Sequence, residues 1–576
     1  MDNAGFATIF REFADYLELK KDNPFKIRAY RRAADIFEDL NRNVAELALD
    51  GELKNIQGIG TAIEEKAREI ASSGKLGALE DLKLQYPPGV MEMTRIPGVG
   101  LKTASRVFHE LGIAGIDQLE AAAEDGRLEA LPGMGKKTAE NILKGITRLR
   151  MENTKRIPLV LADRLSKNLM DFLRSHMEIC AIAAVGSLRR RKETCGDLDI
   201  LVSTEDPSPI SGLMAKWNKF SNMISSGEDR IIFTTTDDIE VDVIITAPEK
   251  FPFDLFVTTG SKSHYTALES IACELGYRLR NNSFTSESGK PVEIIDEADI
   301  YKALKMEYIP PELREMTGEI EAALKGSLPK LLISRDIRGD LHMHTNWSDG
   351  TSSIESMVYA AKNLGYEYIA ITDHSESLKI AKGLSKAELS RQMEVLERLR
   401  TELDGIQVLS GIELEILKDG SLDYDDSILS SLDLIIASVH SAFGQPKDVM
   451  TARIVKAIRS GRVDIIAHPT GRVLGRRFGY DVDLDVVIKE AAKHNVALEI
   501  NSYPERMDLD STWARKAAES GVYIAINSDA HNVEELKFIS YGLDVARRAW
   551  LEQADVINTW PISKFQAWLS RRRIRA

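Results

Sequence analysis

Cysteine is scarce in this chain: Cys180, Cys195 and Cys273 are the only three in 576 residues. An odd number with no metal-type spacing excludes a disulfide framework or a thiolate zinc site, and fits free thiols in a reducing compartment. No apolar run approaches the ~18 residues that would cross a bilayer. The opening Met1-Asp2-Asn3-Ala4-Gly5 carries neither a basic nor a hydrophobic signal region. A cytoplasmic protein without a membrane partner is expected. A basic excess is missing too: the net charge of −14 and pI near 5.4 exclude a uniform cationic coat, so any contact with nucleic acid must be local. Residues 95–156 reverse the sign, with 11 Lys and Arg against 8 Asp and Glu. The length exceeds what one core can serve and implies about three to five units.

What the chain does have is a series of metal-type ligands. Six of its ten histidines belong to that series. The series opens with Asp340-Leu341-His342-Met343-His344 and Ser348-Asp349-Gly350. It continues through Asp373-His374, Glu413, His440 and His468, and closes on Asp529 and His531. Side chains at i, i+2 and i+4 of an extended segment share a face, so Asp340, His342 and His344 are expected to converge. The later members each follow a short apolar, β-branched run, and most of these runs precede a helix-like stretch. That is the pattern of a parallel (β/α) barrel with its chemistry at the C-terminal strand ends. Imidazoles and carboxylates without thiolate suit zinc, manganese or iron, and a bridging carboxylate would let several ions share the site. Ions held in this way lower the pKa of a bound water and stabilise charge on a phosphoryl oxygen, so hydrolysis is the expected reaction. A lone histidine on an apolar strand is ordinarily a core residue; the whole series is not explained that way.

These residues resemble the polymerase and histidinol phosphatase (PHP) domain over about residues 338–576. The resemblance implies a distorted barrel holding up to three Mn2+, Zn2+ or Fe2+ ions. One ion would be held by His342, His344, Glu413 and Asp529, a second by Glu413, His440 and His468, and a third by Asp349, His374 and His531. Some PHP domains carry histidine where this chain has Asp349, which leaves the metal of the third site open.

Ahead of the barrel, one device occurs three times: Ile56-Gln57-Gly58-Ile59-Gly60, Ile96-Pro97-Gly98-Val99-Gly100 and Leu131-Pro132-Gly133-Met134-Gly135. Two glycines around one apolar residue allow a tight turn at a helix start, presenting backbone N–H groups to a phosphate oxygen. Such contacts grip a strand without reading its sequence. The three turns resemble helix-hairpin-helix motifs, with Gly58, Gly60, Gly98, Gly100, Gly133 and Gly135 as expected DNA contacts. The segment Asn23-Pro24-Phe25-Lys26-Ile27-Arg28-Ala29-Tyr30-Arg31 reads either as a phosphate site beside a stacked base or as an amphipathic helix with a basic outer face. Its module resembles the lyase-type domain of family X DNA polymerases. By that resemblance Lys66 would form a Schiff base with an abasic sugar and Lys26 would contact phosphate, although Ala62 replaces a second lysine of that pocket.

A third constellation follows: Gly186-Ser187-Leu188-Arg189-Arg190-Arg191, then Asp197-Leu198-Asp199, then Glu240-Val241-Asp242. Asp197 and Asp199 share one face of a strand and Asp242 comes from another. Three acids at a sheet edge can hold two Mg2+ ions around a 3′ hydroxyl and a leaving pyrophosphate. The Gly-Ser turn and its arginines suit a triphosphate. This resembles the family X nucleotidyltransferase palm, with Asp197, Asp199 and Asp242 holding Mg2+ or Mn2+, and Gly186, Ser187, Arg190, Gly260 and Ser261 on the nucleotide. Departures cluster in the nucleotide pocket. Val257 and Thr258 replace aromatics, Tyr265 replaces an asparagine, Glu269 replaces a template-facing arginine, and Glu240 replaces an arginine near the third acid.

Together the resemblances imply a multidomain chain with helical N-terminal helix-hairpin-helix domains, an α/β nucleotidyltransferase palm and thumb, and a C-terminal distorted (β/α)7 PHP barrel. The expected divisions are a lyase-type DNA-binding domain over 1–85, hairpin fingers over 86–150, palm over 151–246, thumb over 247–316, linker over 317–337 and barrel over 338–576. The implied function is that of a monomeric DNA polymerase and 3′–5′ exonuclease of DNA repair. Its partners would be gapped or nicked DNA, 3′ ends and deoxynucleoside triphosphates, with abasic-site incision or 3′ phosphate removal as further barrel activities. The alternative is a nuclease whose palm has weak or lost incorporation. A DNA-binding protein with purely structural metals does not account for the nine ligands, and a small-molecule phosphatase does not account for the hairpins. The run Arg571-Arg572-Arg573-Ile574-Arg575 reads as a solvated chain end.

Overall fold

The computed structural model describes residues 3–40, 42–56, 58–96, 98–153, 156–280 and 283–573. Gln57 and Pro97 of the hairpins, and Ile574 and Arg575 of the basic tail, lie outside the described residues. The chain divides into two compact units, Met1–Lys155 and Arg156–Ala576.

The first unit is helical among its described residues. Helices α1 (Asn3–Leu19) and α2 (Pro24–Asp39) pack through Phe10, Phe13, Tyr30 and Phe37, with Phe10 and Phe37 rings edge to face at 5.0 Å. Asn23 caps α2 by accepting from the Phe25 amide at 2.8 Å, and Pro24 occupies the first turn, where no N–H is needed. The three glycine devices fold alike. Ile59, Val99 and Met134 amides each donate to the carbonyl three residues earlier, at 2.9–3.0 Å. Gly58, Gly98 and Gly133 take φ of +101°, +91° and +79°, which a side chain would oppose. Helices α3 (Thr61–Ser73), α4 (Leu101–Leu111) and α5 (Lys136–Asn153) follow directly. One apolar core runs from Phe6 to Ile146, and the Ser105 hydroxyl donates to the Leu19 carbonyl at 2.6 Å across it.

The second unit begins with helix α6 (Leu159–His176) on a five-stranded sheet. Its strands are β1 (Ala181–Ala184), β2 (Leu198–Ser203), β3 (Phe220–Ser226), β4 (Arg230–Thr235) and β5 (Glu240–Thr246), in the order β1-β2-β5-β4-β3. β2 and β5 run parallel with Asp199 opposite Asp242. Two helices, Phe251–Thr259 and Lys262–Glu274, and a hairpin of Tyr277–Arg280 with Ser283–Ser286 follow, packed around Phe256 and Tyr301.

Seven parallel strands then form the barrel in chain order: β6 (Gly339–Asp340), β7 (Tyr368–Ile371), β8 (Gln407–Glu415), β9 (Leu434–Ser438), β10 (Ile465–Ile466), β11 (Ala497–Asn501) and β12 (Ile524–Asn527). β7, β9, β11 and β12 are buried throughout, as expected of strands covered on both faces. The ends of the sheet meet just past β6 and β12, where Met343 and Ala530 form a parallel bridge and the Asp529 amide donates to the His342 carbonyl at 3.0 Å. Helix α7 (Ile539–Arg548) packs on the barrel after β12, and Gly542 is required because a Cβ there would lie 2.0 Å from the Ser502 hydroxyl. The largest apolar cluster joins palm residues such as Leu165 and Phe233 to barrel residues such as Met343 and Ile526. No helix among the described residues is long and apolar enough to cross a membrane.

Candidate active sites in the barrel and the palm

At the C-terminal ends of the barrel strands, Glu413 is the hub. One carboxylate oxygen lies 3.4 Å from His342 Nε2, 3.5 Å from His344 Nε2 and 2.9 Å from His374 Nδ1; the other lies 3.0 Å from His468 Nε2 and 3.4 Å from His440 Nε2. Asp529 meets His344 at 3.1 Å and His342 at 3.5 Å, and Asp349 stands 3.4 Å from His374 and 3.5 Å from His531. Three sets of donor atoms each lie within 4.8 Å of one another: His342, His344 and Asp529; His374, Glu413 and His440; and His344, Asp349, His374 and His531. All nine ligand-type residues named from the sequence are thus brought together. The sets overlap at His344 and His374, so these two rings connect what the resemblance divides among three ions.

Asp340 does not join them. Its carboxylate accepts from the Ser528 and His342 amides at 3.1 and 3.4 Å, because the strand ends at Asp340 and the next residues turn toward β12. The expected convergence of Asp340 with the two histidines is therefore corrected: it clamps the backbone beneath the site. Asp373 likewise accepts from Thr345 and Gln392, bracing the loop that carries Asp349.

The electrostatics describe a site that calls for positive charge. Burial opposes a proton on His342, yet Glu499, Asp529 and Glu413 together raise it well above its ordinary range. The same contest, burial against Glu413 and Asp349, leaves His374 pushed up to about 10. Burial against Asp349 and Asp529 leaves His531 up to about 9. His344, buried and next to His374 and His531, falls to about 3. Protons stand here where cations would otherwise balance the acids. The buried Nδ1 atoms of His344 and His468 take no hydrogen bond. A mixed imidazole–carboxylate set of this kind fits divalent ions. His468 and Asp529 also hold φ of +27° and +55°, backbone strain of the sort found at functional sites.

In the palm, Asp199 crowds Asp197 and Asp242. Burial first, then those two charges, raise it to about 7 against the pull of Arg230 and Arg190. Gly186 is obligatory, since a Cβ would lie 2.0 Å from an Asp199 oxygen. Arg190 donates to Glu315 at 2.9 Å and to the Thr259 carbonyl, and Ser261 caps the helix that follows Gly260. Asp242 is engaged otherwise: Arg230 Nε lies 2.9 and 3.0 Å from its two oxygens.

Known protein families divide the chain along these lines. The helix-hairpin-helix domain matches residues 1–76, the SAM-like helix-hairpin-helix tandem 90–148, the DNA polymerase beta palm 156–227, the DNA polymerase beta thumb 254–315 and the PHP domain 340–528. The DNA polymerase/3′-5′ exonuclease PolX of Bacillus subtilis (strain 168) is 37% identical over 566 residues, covering 98% of each chain. This chain belongs to the PolX family. Two proteins named probable phosphatase match part of this PolX chain. One, from Thermoanaerobacter sp. (strain X514), is 29% identical over 41% of this chain and 95% of its own; the other, from Shewanella loihica, is 35% identical over 33% and 77%.

The remaining predicted positions of this PolX chain are spread out. Gly60 and Gly100 stand at the caps of α3 and α4 with no side chain on the first-turn amides. Lys66 lies on α3 with its ammonium 5.4 Å from the Phe13 ring centre, and Lys26 pairs with Asp22 at 3.2 Å. Tyr265 has a buried hydroxyl without a hydrogen-bond partner, 6.0 Å ring to ring from Phe256. Three residues escaped the sequence reading. Glu499 accepts from His342 Nδ1 and the His468 amide, each at 2.8 Å, and so turns His342 Nε2 toward the centre. Glu415 does the same for His440, 3.0 Å from its Nδ1. Arg230 is the third. The signal for Glu499 was present, a carboxylate inside the apolar run Ala497–Asn501; Arg230 had none until β4 and β5 were paired.

Proposed function

We propose that this chain fills short gaps in DNA at its palm and removes nucleotides from 3′ ends at its barrel. The observation that carries the barrel half is the meeting of five histidines on the single Glu413 carboxylate. The name of the Bacillus subtilis relative supports both halves. In this reading His342, His344, Glu413, His440, His468, Asp529, Asp349, His374 and His531 hold up to three Mn2+, Zn2+ or Fe2+ ions, and Asp197, Asp199 and Asp242 hold Mg2+ or Mn2+. Such ions, when bound, activate an attacking oxygen and neutralise charge on the phosphoryl group.

The protein's own residues do the placing. Glu499 and Glu415 orient ligand imidazoles. Gly186 lets the phosphate turn approach Asp199, while Ser187, Arg190, Gly260 and Ser261 receive the triphosphate of a deoxynucleotide. Gly58, Gly60, Gly98, Gly100, Gly133 and Gly135 grip the phosphates of gapped or nicked DNA. Lys26 takes a phosphate and Lys66 an abasic sugar. The enzyme is read as a cytoplasmic monomer. The relatives named probable phosphatase support 3′ phosphate removal as a further barrel activity, and abasic-site incision is proposed beside it.

A second reading keeps the nuclease and weakens the palm. It is favoured by Arg230 on Asp242 and by Val257, Thr258, Tyr265 and Glu269 in the nucleotide pocket. A 5′-labelled primer on a one-nucleotide gap decides between them. With Mn2+, extension lost only in Asp199→Ala and shortening lost only in His344→Ala supports the two-site reading. Shortening without extension in the wild type selects the second.

A further inference from the structure

The palm's phosphate turn is held from behind by the barrel. Arg191 donates to Asp163 on α6 and, through Nε and Nη2 at 2.9 and 2.7 Å, to Asp544 on α7. One turn further along α7, Arg547 bonds Glu312 at 2.9 Å. Arg548 donates from Nη1 to the Arg190 carbonyl at 2.8 Å and reaches Glu315 at 3.4 Å. Its side chain is only 9% exposed.

Glu315 in turn receives Arg190 Nε at 2.9 Å and faces Lys192 at 3.6 Å, so three cations share one carboxylate. Arg190 spends Nε on Glu315 and Nη1 on the Thr259 carbonyl; its Nη2 takes no partner among the described residues. A guanidinium fixed along one edge offers the remaining nitrogen in one direction, and a surplus of positive charge around it favours an anion. A single nitrogen of Arg548, Nη1, touches both the backbone carbonyl of Arg190 and the carboxylate that fixes its edge.

We propose that Arg548, a barrel residue, is a positioning residue of the palm's nucleotide site: it locks Glu315 and the Arg190 backbone so that Arg190 presents Nη2 to the triphosphate. This rests on the reading of the palm as the site of nucleotide incorporation. The barrel then contributes to nucleotide affinity without touching the nucleotide, and its own metal centre takes no part.

The test measures single-nucleotide gap filling and 3′ shortening in the same preparations of full-length wild type, Arg548→Ala and Arg548→Lys. In Arg548→Ala the KM for the deoxynucleotide is expected to rise about tenfold, with kcat within about twofold, because a charge-assisted contact that orients Arg190 is lost. Shortening stays at the wild-type rate. Lysine keeps the charge but is too short to place its nitrogen where Nη1 stands, so Arg548→Lys is expected to fall between. A KM within about twofold of wild type in Arg548→Ala, with shortening intact, overturns the proposal. If alanine also abolishes shortening, the barrel has lost its fold and the lysine variant decides; a wild-type KM in Arg548→Lys then overturns the positioning role of Nη1. A wild type that shortens but never extends removes the palm reading, and this proposal with it.

Discussion

The two candidate sites hold their acids in opposite ways. In the barrel, Glu413 and Asp529 are surrounded by imidazoles and sit well below the ordinary carboxylate range once burial is outweighed by His374, His440 and His342. In the palm, Asp199 is half-buried beside two other carboxylates and is raised to about 7, while Asp242 is taken by Arg230. A site that surrounds its acids with protonated imidazoles is balanced and assembled before any ion arrives. A site that leaves acid against acid needs the ion, and the substrate that accompanies it, to complete itself. The barrel therefore depends on ligand geometry, and the palm on what binds there.

Exchanging the hub breaks this contrast most severely. Glu413→Gln should abolish shortening by more than the ~100-fold that loss of an outer-shell partner costs, and leave gap filling within a few-fold. Comparable loss of both reactions would show that the sites are not separate. The same variant bears on proton balance. At pH 8 the cation-free wild type carries protons on His374 and His531, raised to about 10 and about 9, whereas Asp199 at about 7 is already ionised. Titrating Mn2+ into weakly buffered protein at pH 8 should release protons from the barrel and none from the palm. That release should collapse in Glu413→Gln, whereas lowering the pH to 6.5 adds release from Asp199.

Removing the outer partner of His342 is expected to have the next largest effect. Glu499→Gln should weaken metal binding to the barrel by about 10- to 100-fold, read as the Mn2+ concentration that half-restores shortening after chelation. Arg230→Ala is milder and of opposite sign. It frees Asp242, so half-maximal extension should need a few-fold less Mg2+; a higher requirement would make Arg230 a helper of that site instead of a competitor. Smallest is Gly98→Ala. No atom obstructs the new Cβ, but φ of +91° opposes it, at roughly 1–2 kcal/mol. A drop of a few degrees in the melting of the helical unit should slow extension and shortening alike, as the proposed common DNA grip requires.

Much of this arrangement was legible in the sequence. Several barrel ligands could be read because they follow buried apolar runs: His374, His440 and Asp529 come just after β7, β9 and β12. Asp199 and Asp242 face each other because adjacent parallel strands carry them in register. The glycine pairs announced their turns through a requirement for positive φ that few residues meet. Illegible were relations created only by packing. Asp340 continued the alternation of an extended strand that in fact stops there. Arg230 and Asp242 meet across β4 and β5 only once the hairpin's register is set, with Ile232 opposite Asp242. Arg548 meets Glu315 through a contact between residues 233 apart in sequence. Periodicity reports which face a residue is on, and says nothing of who stands opposite.

The segment 317–337 begins as the helix Glu319–Lys325, whose Ile320 and Ala323 lie in the thumb core, and ends with Leu332 and Ile337 in the core common to palm and barrel. Arg547 holds the Leu332 carbonyl at 2.7 Å. Cutting the chain there to obtain a free-standing barrel would uncover apolar surface on both fragments. Either piece alone is then expected to be poorly soluble, and the catalytic halves are better separated by point substitution than by truncation.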